Sequence, residues 1–167
     1  MQETPEQYTR RILGYLEGRD PLEVLAATPG RLARLIRGRS RQRLSRRPAP
    51  DTWSVTEILA HLADAELVYG VRIRFIVAAP GLPIQATEQD EWARVFAYAK
   101  QSPAESLAAL RANRAALLRL LGRLPRDHWD RYGVHSERGR ETVTRVVELL
   151  AGHDLNHLRQ IRERLAG

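Results

Sequence analysis

Residues 54–76 read SVTEILAHLADAELVYGVRIRFI, and this segment predicts one long amphipathic helix. Ser54 and Glu57 match the capping box, in which a hydroxyl at the helix start and a carboxylate three residues later satisfy free backbone N–H groups. Apolar side chains then recur with a helical period, at Ile58, Leu59, Leu62, Ala65, Tyr69, Ile73 and Ile76. The helix should end before Pro80, and His61 lies on it about two turns from its start.

Other helix starts follow the same logic along the chain. Thr4-Pro5, Asp20-Pro21, Thr28-Pro29 and Ser102-Pro103 each join a capping residue to proline, which is favoured at the first helical position. These pairs predict helices, with the first third of the chain broken at Thr28. A short helix is expected over 90–99 after a loop over 79–88, and the last helix over about 141–165. No segment shows the two-residue alternation of a strand, so the fold class is all-α, a helical bundle.

Composition limits what this bundle can be. With 167 residues, 43% of them hydrophobic, the chain suits one compact domain. The absence of cysteine excludes disulfides, thiolate metal ligands and a cysteine nucleophile. The amino-terminal residues are polar, and no apolar run approaches the roughly 20 residues that span a bilayer. We therefore expect a soluble, cytoplasmic protein that does not enter a membrane.

Positive charge is concentrated in one segment. The net charge is +7, and arginine supplies all the basic residues except Lys100. The segment Arg31–Arg47 has arginines at 31, 34, 37, 39, 41, 43, 46 and 47. It could bind nucleic acid or another polyanion, which would make the chain a non-catalytic helical module. Because no aromatic residue in the segment could stack on bases and no recognition motif accompanies it, a solvated basic face is favoured.

The chemistry is concentrated in GHDLNHLRQI, residues 152–161. A spacing of four places His153 and His157 on one helix face, where two imidazole nitrogens can hold one metal ion. The residues between them include no glutamate placed as a general base, which disfavours a zincin-type protease. Because catalytic metal sites usually take three protein ligands, a third ligand is needed. His61 is the best candidate, since its distance from the start of its helix nearly matches that of His157 from the end of the last helix. If the two helices pack antiparallel, the three imidazoles lie at similar depth.

Neighbouring polar residues could support such a site. Asp64 and Glu66 could orient a ligand or act as a fourth one, or they could be surface or ion-paired carboxylates. Asn156 and Gln160 could donate or accept hydrogen bonds that orient the imidazoles. His128 and His135 are interpreted as loop histidines in the connection before the last helix.

The segments 53–66, WSVTEILAHLADAE, and 152–161 together resemble the hallmark motifs of the DinB/YfiT-like superfamily. The resemblance implies a four-helix bundle of up-down-down-up topology over residues 20–167, with residues 1–19 as a helical extension. It also implies a metal held by His61, His153 and His157, with zinc or nickel as the metal, and a homodimer. Relatives are similar either to transferases that join a low-molecular-weight thiol to an electrophile or to metal-dependent hydrolases. The resemblance therefore implies a metal-dependent enzyme that activates a thiol or water for a small-molecule substrate.

Overall fold

The computed structural model describes residues 3–166. Met1 and Gln2 of the predicted extension 1–19, and Gly167 of the predicted domain 20–167, lie outside the described residues. The helices are α1 (Pro5–Gly14), α2 (Pro21–Ile36), α3 (Arg41–Ser45), α4 (Val55–Ala78), α5 (Gln89–Val95), α6 (Pro103–Leu121) and α7 (Val143–Ala166). The strands are β1 (Pro83–Ile84), β2 (Tyr132–His135) and β3 (Gly139–Thr142), and 3-10 turns cover Tyr98–Lys100 and Arg126–Asp130.

Helices α2, α4, α6 and α7 form the bundle, and its core shows how they run. One apolar cluster joins the first halves of α2 and α7 to the last halves of α4 and α6, and it includes Val24, Val146, Ile73 and Leu121. A second cluster at the other end joins the remaining halves, and it includes Leu32, Ile161, Ile58 and Leu110. Helices α2 and α7 therefore run one way and α4 and α6 the other. This is the predicted up-down-down-up four-helix bundle, in which α4 is antiparallel to its neighbour α7.

The capping pairs predicted most helix starts correctly. The side chains of Thr4, Asp20, Ser54 and Ser102 each accept a hydrogen bond from a backbone N–H in the first turn of α1, α2, α4 and α6. These contacts are local in sequence, so the pattern alone is enough to place them.

The predicted helix break at Thr28 was wrong, because α2 continues through Pro29 to Ile36. The Thr28 hydroxyl donates to the Val24 carbonyl inside the helix at 2.9 Å. Pro29 has no N–H to offer the Leu25 carbonyl one turn earlier. Arg114 of α6 supplies the missing donor, with Nη1 2.7 Å from that carbonyl oxygen. A tertiary hydrogen bond thus replaces the lost helical one and makes the interior proline tolerable.

Helix α1 packs directly against α7. Ile12 is fully buried there, and it faces Gly152, the residue before His153. A Cβ on Gly152 would lie 2.2 Å from the Ile12 carbonyl oxygen, which is far inside van der Waals contact. Glycine at this position is what lets the two helix backbones approach so closely.

The absence of strands was also a wrong prediction, although the helical fold class stands. Strand β1 pairs parallel with β2, and β2 pairs antiparallel with β3. The strands have two to four residues, which is too few for a two-residue alternation to be recognised in the sequence. In addition, β1 and β2 lie far apart in sequence. Because β3 extends to Thr142, the last helix begins at Val143 rather than near Glu141. The expected short helix at 90–99 is divided into α5 and a 3-10 turn.

Among residues 3–166, no helix combines the length and apolar character needed to cross a membrane.

Candidate metal centre

Three histidines from two antiparallel helices converge inside the bundle. His61 comes from α4, while His153 and His157 come from successive turns of α7. The Nε2 atom of His153 lies 2.9 Å from Nε2 of His61 and 3.1 Å from Nε2 of His157. The three rings are between 5% and 9% exposed. The sequence placed these residues at matching helical depth, and the structure brings one nitrogen of each to a common point.

Burial keeps the three rings neutral. Desolvation lowers the pKa of His61 and of His153 well below the ordinary value, and for both rings the nearby imidazole of His157 adds to the effect. Desolvation lowers the pKa of His157 to about 4, although a hydrogen bond to Gln160 opposes the shift. At neutral pH each ring therefore keeps a nitrogen lone pair, which is the form that binds metal ions.

The hydrogen-bond pattern assigns one tautomer and exposes a conflict. Nδ1 of His157 lies 2.9 Å from the amide oxygen of Gln160. An amide oxygen only accepts, so Nδ1 carries the hydrogen and Nε2 carries the lone pair. Nε2 of His153 is in hydrogen-bond range of Nε2 of both His61 and His157. A neutral His153 ring has at most one hydrogen on this atom, which can be donated to only one of the two, so three neutral rings cannot satisfy both contacts. A cation among the three nitrogens would satisfy all of them at once.

The donor set suits a divalent metal. Two nitrogens bound tetrahedrally at about 2.0–2.1 Å from one ion stand about 3.3 Å apart. The separations of His153 Nε2 from the other two Nε2 atoms are 2.9 and 3.1 Å, close to that value. Neutral imidazoles bind zinc and nickel among other ions, so the donors alone do not select one metal.

A cavity of about 560 Å³ leads to the histidines and is lined by both His61 and His153. Its size falls in the range of small-molecule sites, about 300–1,000 Å³. One side of the histidine cluster therefore faces a space that can admit a substrate.

The polar neighbours predicted from the sequence have different positions. Gln160 contacts His157 as described, whereas Asn156 is buried and accepts a long hydrogen bond of 3.5 Å from Arg11. Asp64 lines the cavity and accepts a 2.6 Å hydrogen bond from the Tyr98 hydroxyl. Neither Asn156 nor Asp64 has a hydrogen bond to an imidazole among the described residues.

Glu66 lies in a buried ionic cluster with Arg114 and Asp154, outside the group of three histidines. Arg114 donates from Nε and Nη2 to one Glu66 oxygen, and from Nη1 to Asp154 at 2.7 Å. Burial raises the pKa of Glu66, and the Arg114 charge opposes this. Together with the Leu25 carbonyl, the cluster takes one group from each bundle helix.

The sequence reasoning missed Arg114, because nothing local distinguishes it from the other arginines. The available signal was indirect. Pro29 inside a helical pattern leaves the Leu25 carbonyl without a donor, and a donor must come from another helix.

The two remaining histidines lie outside the cluster. His128 is in the turn Arg126–Asp130, with Nε2 3.9 Å from Asp127. The interpretation of His135 as a loop residue was wrong, because it ends strand β2, where it is 2% exposed and lines the cavity.

Several arginines of the basic segment bind the bundle itself. Arg43 donates to the Leu165 carbonyl at 3.1 Å, and Arg41 donates to the Lys100 carbonyl at 3.5 Å. Arg47 pairs with the buried carboxylate of Glu57. These contacts give part of the segment a structural role, and polyanion binding by the rest stays a prediction.

Comparisons with known proteins agree with this architecture. A family model described as the DinB superfamily matches residues 25–161. Two proteins of Oceanobacillus iheyensis, both named “Putative metal-dependent hydrolase”, are similar in sequence. One is 26% identical over 110 residues, covering 65% of this chain and 63% of that protein, so the match spans less than two thirds of it. The other is 24% identical over 142 residues, covering 84% and 81% of the two chains.

A solved structure shows the same fold. YfiT from Bacillus subtilis, described as “a probable metal-dependent hydrolase with an unusual four-helix bundle topology”, is similar with a TM-score of 0.78 and 18% identity. The match covers 99% of this chain and 91% of YfiT. At this identity the likeness concerns the fold.

Proposed function

The chain belongs to the DinB superfamily, and on that premise we propose that it is a metal-dependent hydrolase whose single divalent ion, zinc or nickel, is held by His61, His153 and His157. The observation that carries the proposal is the convergence of three buried, neutral imidazole nitrogens beside an open cavity. The names of the similar proteins support the reaction class.

The surrounding residues have defined tasks in this proposal. Gln160 fixes the tautomer of His157 and keeps its Nε2 lone pair directed at the site. Asp64 lies one turn beyond His61 on the cavity wall, where its carboxylate can accept a proton from a reacting group. Tyr98 holds one oxygen of Asp64 in place. When bound, a divalent ion would supply Lewis acidity and bring the pKa of water or a thiol near neutrality.

Transfer of a low-molecular-weight thiol to an electrophile is the second candidate. Because the chain has no cysteine, any thiol that reacts here must enter as a cosubstrate. The two reactions differ in their products: hydrolysis consumes water, and transfer leaves the thiol in the product.

Metal content tests the proposal directly. Untagged protein, stripped with a chelator and titrated with Zn²⁺ or Ni²⁺, should bind one ion per chain by elemental analysis. His153→Ala should abolish stoichiometric binding, while His128→Ala, a matched change outside the cluster, should leave it intact. A wild-type protein that binds neither ion overturns the proposal.

Activity assays then separate the two reactions. Loaded protein should be tested on carboxylic esters, amides and electrophiles, with and without added thiol, and its products examined by mass spectrometry. Products that carry the thiol, formed only when thiol is present, would favour the transferase.

A further inference from the structure

One wall of the cavity is rich in hydrogen-bond donors. It is formed by α4, by the β2–β3 hairpin and by the start of α1. Its donors are Tyr8, Tyr69, Arg72, His135 and Arg138, all of which line the same cavity as His61 and His153.

Arg72 is a partly buried cation without an anionic partner. No carboxylate among the described residues lies within 4.0 Å of its nitrogens; its Nη2 donates instead to the Gln85 carbonyl at 2.6 Å. Its guanidinium carbon lies 5.4 Å from the centre of the Tyr69 ring. Burial lowers the pKa of Arg72; the nearby Tyr69 and Glu141 oppose this shift, and the charge of Arg138 adds to it. Such a cation is costly to bury unless a bound anion compensates it.

Arg138 places a second guanidinium on this wall, and this one is ion-paired with a carboxylate. It donates to the two oxygens of Glu141 at 2.6 and 3.3 Å, and the Glu141 side chain is almost fully buried. Arg72, Arg138 and Glu141 together therefore carry a net charge of +1. The excess charge on this wall matches one monoanion.

His135 adds a neutral donor at the same place. Its Nδ1 accepts a hydrogen bond from the Glu137 backbone N–H at 3.2 Å, which places the ring hydrogen on Nε2. Burial lowers the pKa of His135, so the ring is neutral at pH 7. Nε2 has no hydrogen-bond partner among residues 3–166, and it is free to donate to a molecule in the cavity.

Acidic residues also line the cavity, but each is ion-paired, distant from Arg72 along its helix, or exposed. Glu3 pairs with Arg11. The Tyr98 hydroxyl that donates to Asp64 is neutral and offsets no charge, but Asp64 lies eight residues before Arg72 on α4, about 12 Å along the helix axis. Glu88, Asp90 and Glu137 are exposed. Water and salt screen exposed carboxylates, so these three offset the partly buried charge of Arg72 only weakly.

We propose that the substrate carries an anionic group, a carboxylate or a phosphate, which binds to Arg72 with help from Arg138 and His135, while the reacting part of the molecule lies at the histidines. Arginine suits this task because its planar fork matches the two oxygens of such a group. The identification of the bound anion as substrate rests on the proposed function.

Three probes of similar shape test the charge preference: benzoate, benzamide and benzamidine. They should be titrated into chelator-stripped protein, since benzoate could otherwise bind a metal directly, and followed through the side-chain Nε–Hε resonances of arginine. Benzoate should bind about tenfold more tightly than benzamide, as expected for one charge-assisted pair. Benzamidine should bind least.

Matched variants locate the site. Arg72→Gln should reduce benzoate binding to the level of benzamide, and Arg72→Lys, which keeps the charge but loses the fork, should give an intermediate affinity. Arg74→Gln is the control, because Arg74 is on the same helix but donates to the Gly70 carbonyl and does not line the cavity. It should bind benzoate like the wild type.

The outcomes separate this inference from the metal proposal. Equal binding of the three probes, a preference for benzamidine, or no benzoate binding at 50 mM overturns the anion site, whatever the metal content. So does unchanged benzoate binding in the Arg72 variants. Selective benzoate binding by a wild-type protein that takes up no metal would support the anion site and overturn the metal proposal. Arg72→Gln should keep wild-type metal stoichiometry.

Discussion

Arg114→Met should strongly destabilise the fold. The guanidinium is 2% exposed, and the side chains of Glu66 and Asp154 are 0% exposed. Removing the cation leaves two buried carboxylates and the Leu25 carbonyl without a donor. Breaking a buried ion pair in this way costs about 3–5 kcal/mol, a large part of the roughly 5–15 kcal/mol that stabilises a typical domain. For a chain of this size the melting temperature should fall by about 6–20 °C.

Urea unfolding of chelator-stripped protein, followed by tryptophan fluorescence and far-UV circular dichroism, measures the loss of stability. The chelator is needed because metal binding would add its own stabilisation. Arg111→Met is the control, since Arg111 is exposed on the same helix and should change stability by no more than about 0.5 kcal/mol.

A compensated variant tests the reason for the loss. Adding Glu66→Gln and Asp154→Asn to Arg114→Met removes the uncompensated charges, and the triple variant should be more stable than the single one. The reasoning is refuted if Arg114→Met costs less than about 1 kcal/mol, or if neutralising both carboxylates recovers nothing.

Three further predictions concern helix packing, protonation and assembly. Gly152→Ala should cost about 1–3 kcal/mol in urea unfolding, because the new methyl group would overlap the Ile12 carbonyl. The control Gly30→Ala should be neutral or stabilising, because a Cβ there would lie in ordinary van der Waals contact, 3.6 Å from Nη1 of Arg34. The folded pKa of His157 is about 4 and the unfolded one 6.5, so the unfolded chain binds more protons between these values. The free energy of unfolding of the metal-free protein should thus fall as pH drops below 6.5, by about 2 kcal/mol at pH 5 from this ring alone. A His157 imidazole resonance that is already protonated at pH 6 would contradict this. If the chain forms the predicted homodimer, we expect it to bury the exposed apolar side chains of Leu67, Val71 and Phe75, which lie four residues apart on α4. Phe75→Glu should then yield monomers in analytical ultracentrifugation, and an unchanged dimer would exclude this surface.

Local patterns predicted the parts of the fold that depend on local contacts. Ser54 caps α4 through a hydrogen bond within its own first turn, and the spacing of His153 and His157 fixes their common face whatever surrounds them. The prediction of His61 as the third ligand required only one further condition, that α4 and α7 run antiparallel. For these features the physical cause lies within a few residues of the pattern.

The sequence reasoning failed where distant residues decide the outcome. The Thr28-Pro29 pair was interpreted as a helix start, but Pro29 lies inside α2. The hydrogen bond that this proline removes is replaced by one from Arg114, which is 85 positions away and has no signal near Pro29 in the sequence. Strand β2 was missed because it and its hairpin partner β3 have only four residues each, because its other partner β1 is distant in sequence, and because Gly133 has no side chain to show alternation. A Cβ on Gly133 would lie 2.6 Å from Cδ1 of Ile84, so this glycine is required by the neighbouring strand.

The ionic cluster and the histidine cluster share two helices, and this connects stability to the proposed function. Glu66 follows His61 on α4, and Asp154 follows His153 on α7. Arg114 binds both carboxylates at once, so it links α4 and α7 close in sequence to the residues that carry the imidazoles. A site that needs three nitrogens within a few tenths of an ångström depends on that spacing. Replacing Gln160 would disturb the orientation of one ring, whereas replacing Arg114 would change the separation of the helices that carry all three. Through these two ion pairs, we expect the geometry of the predicted histidines to depend on an arginine that the sequence patterns did not single out.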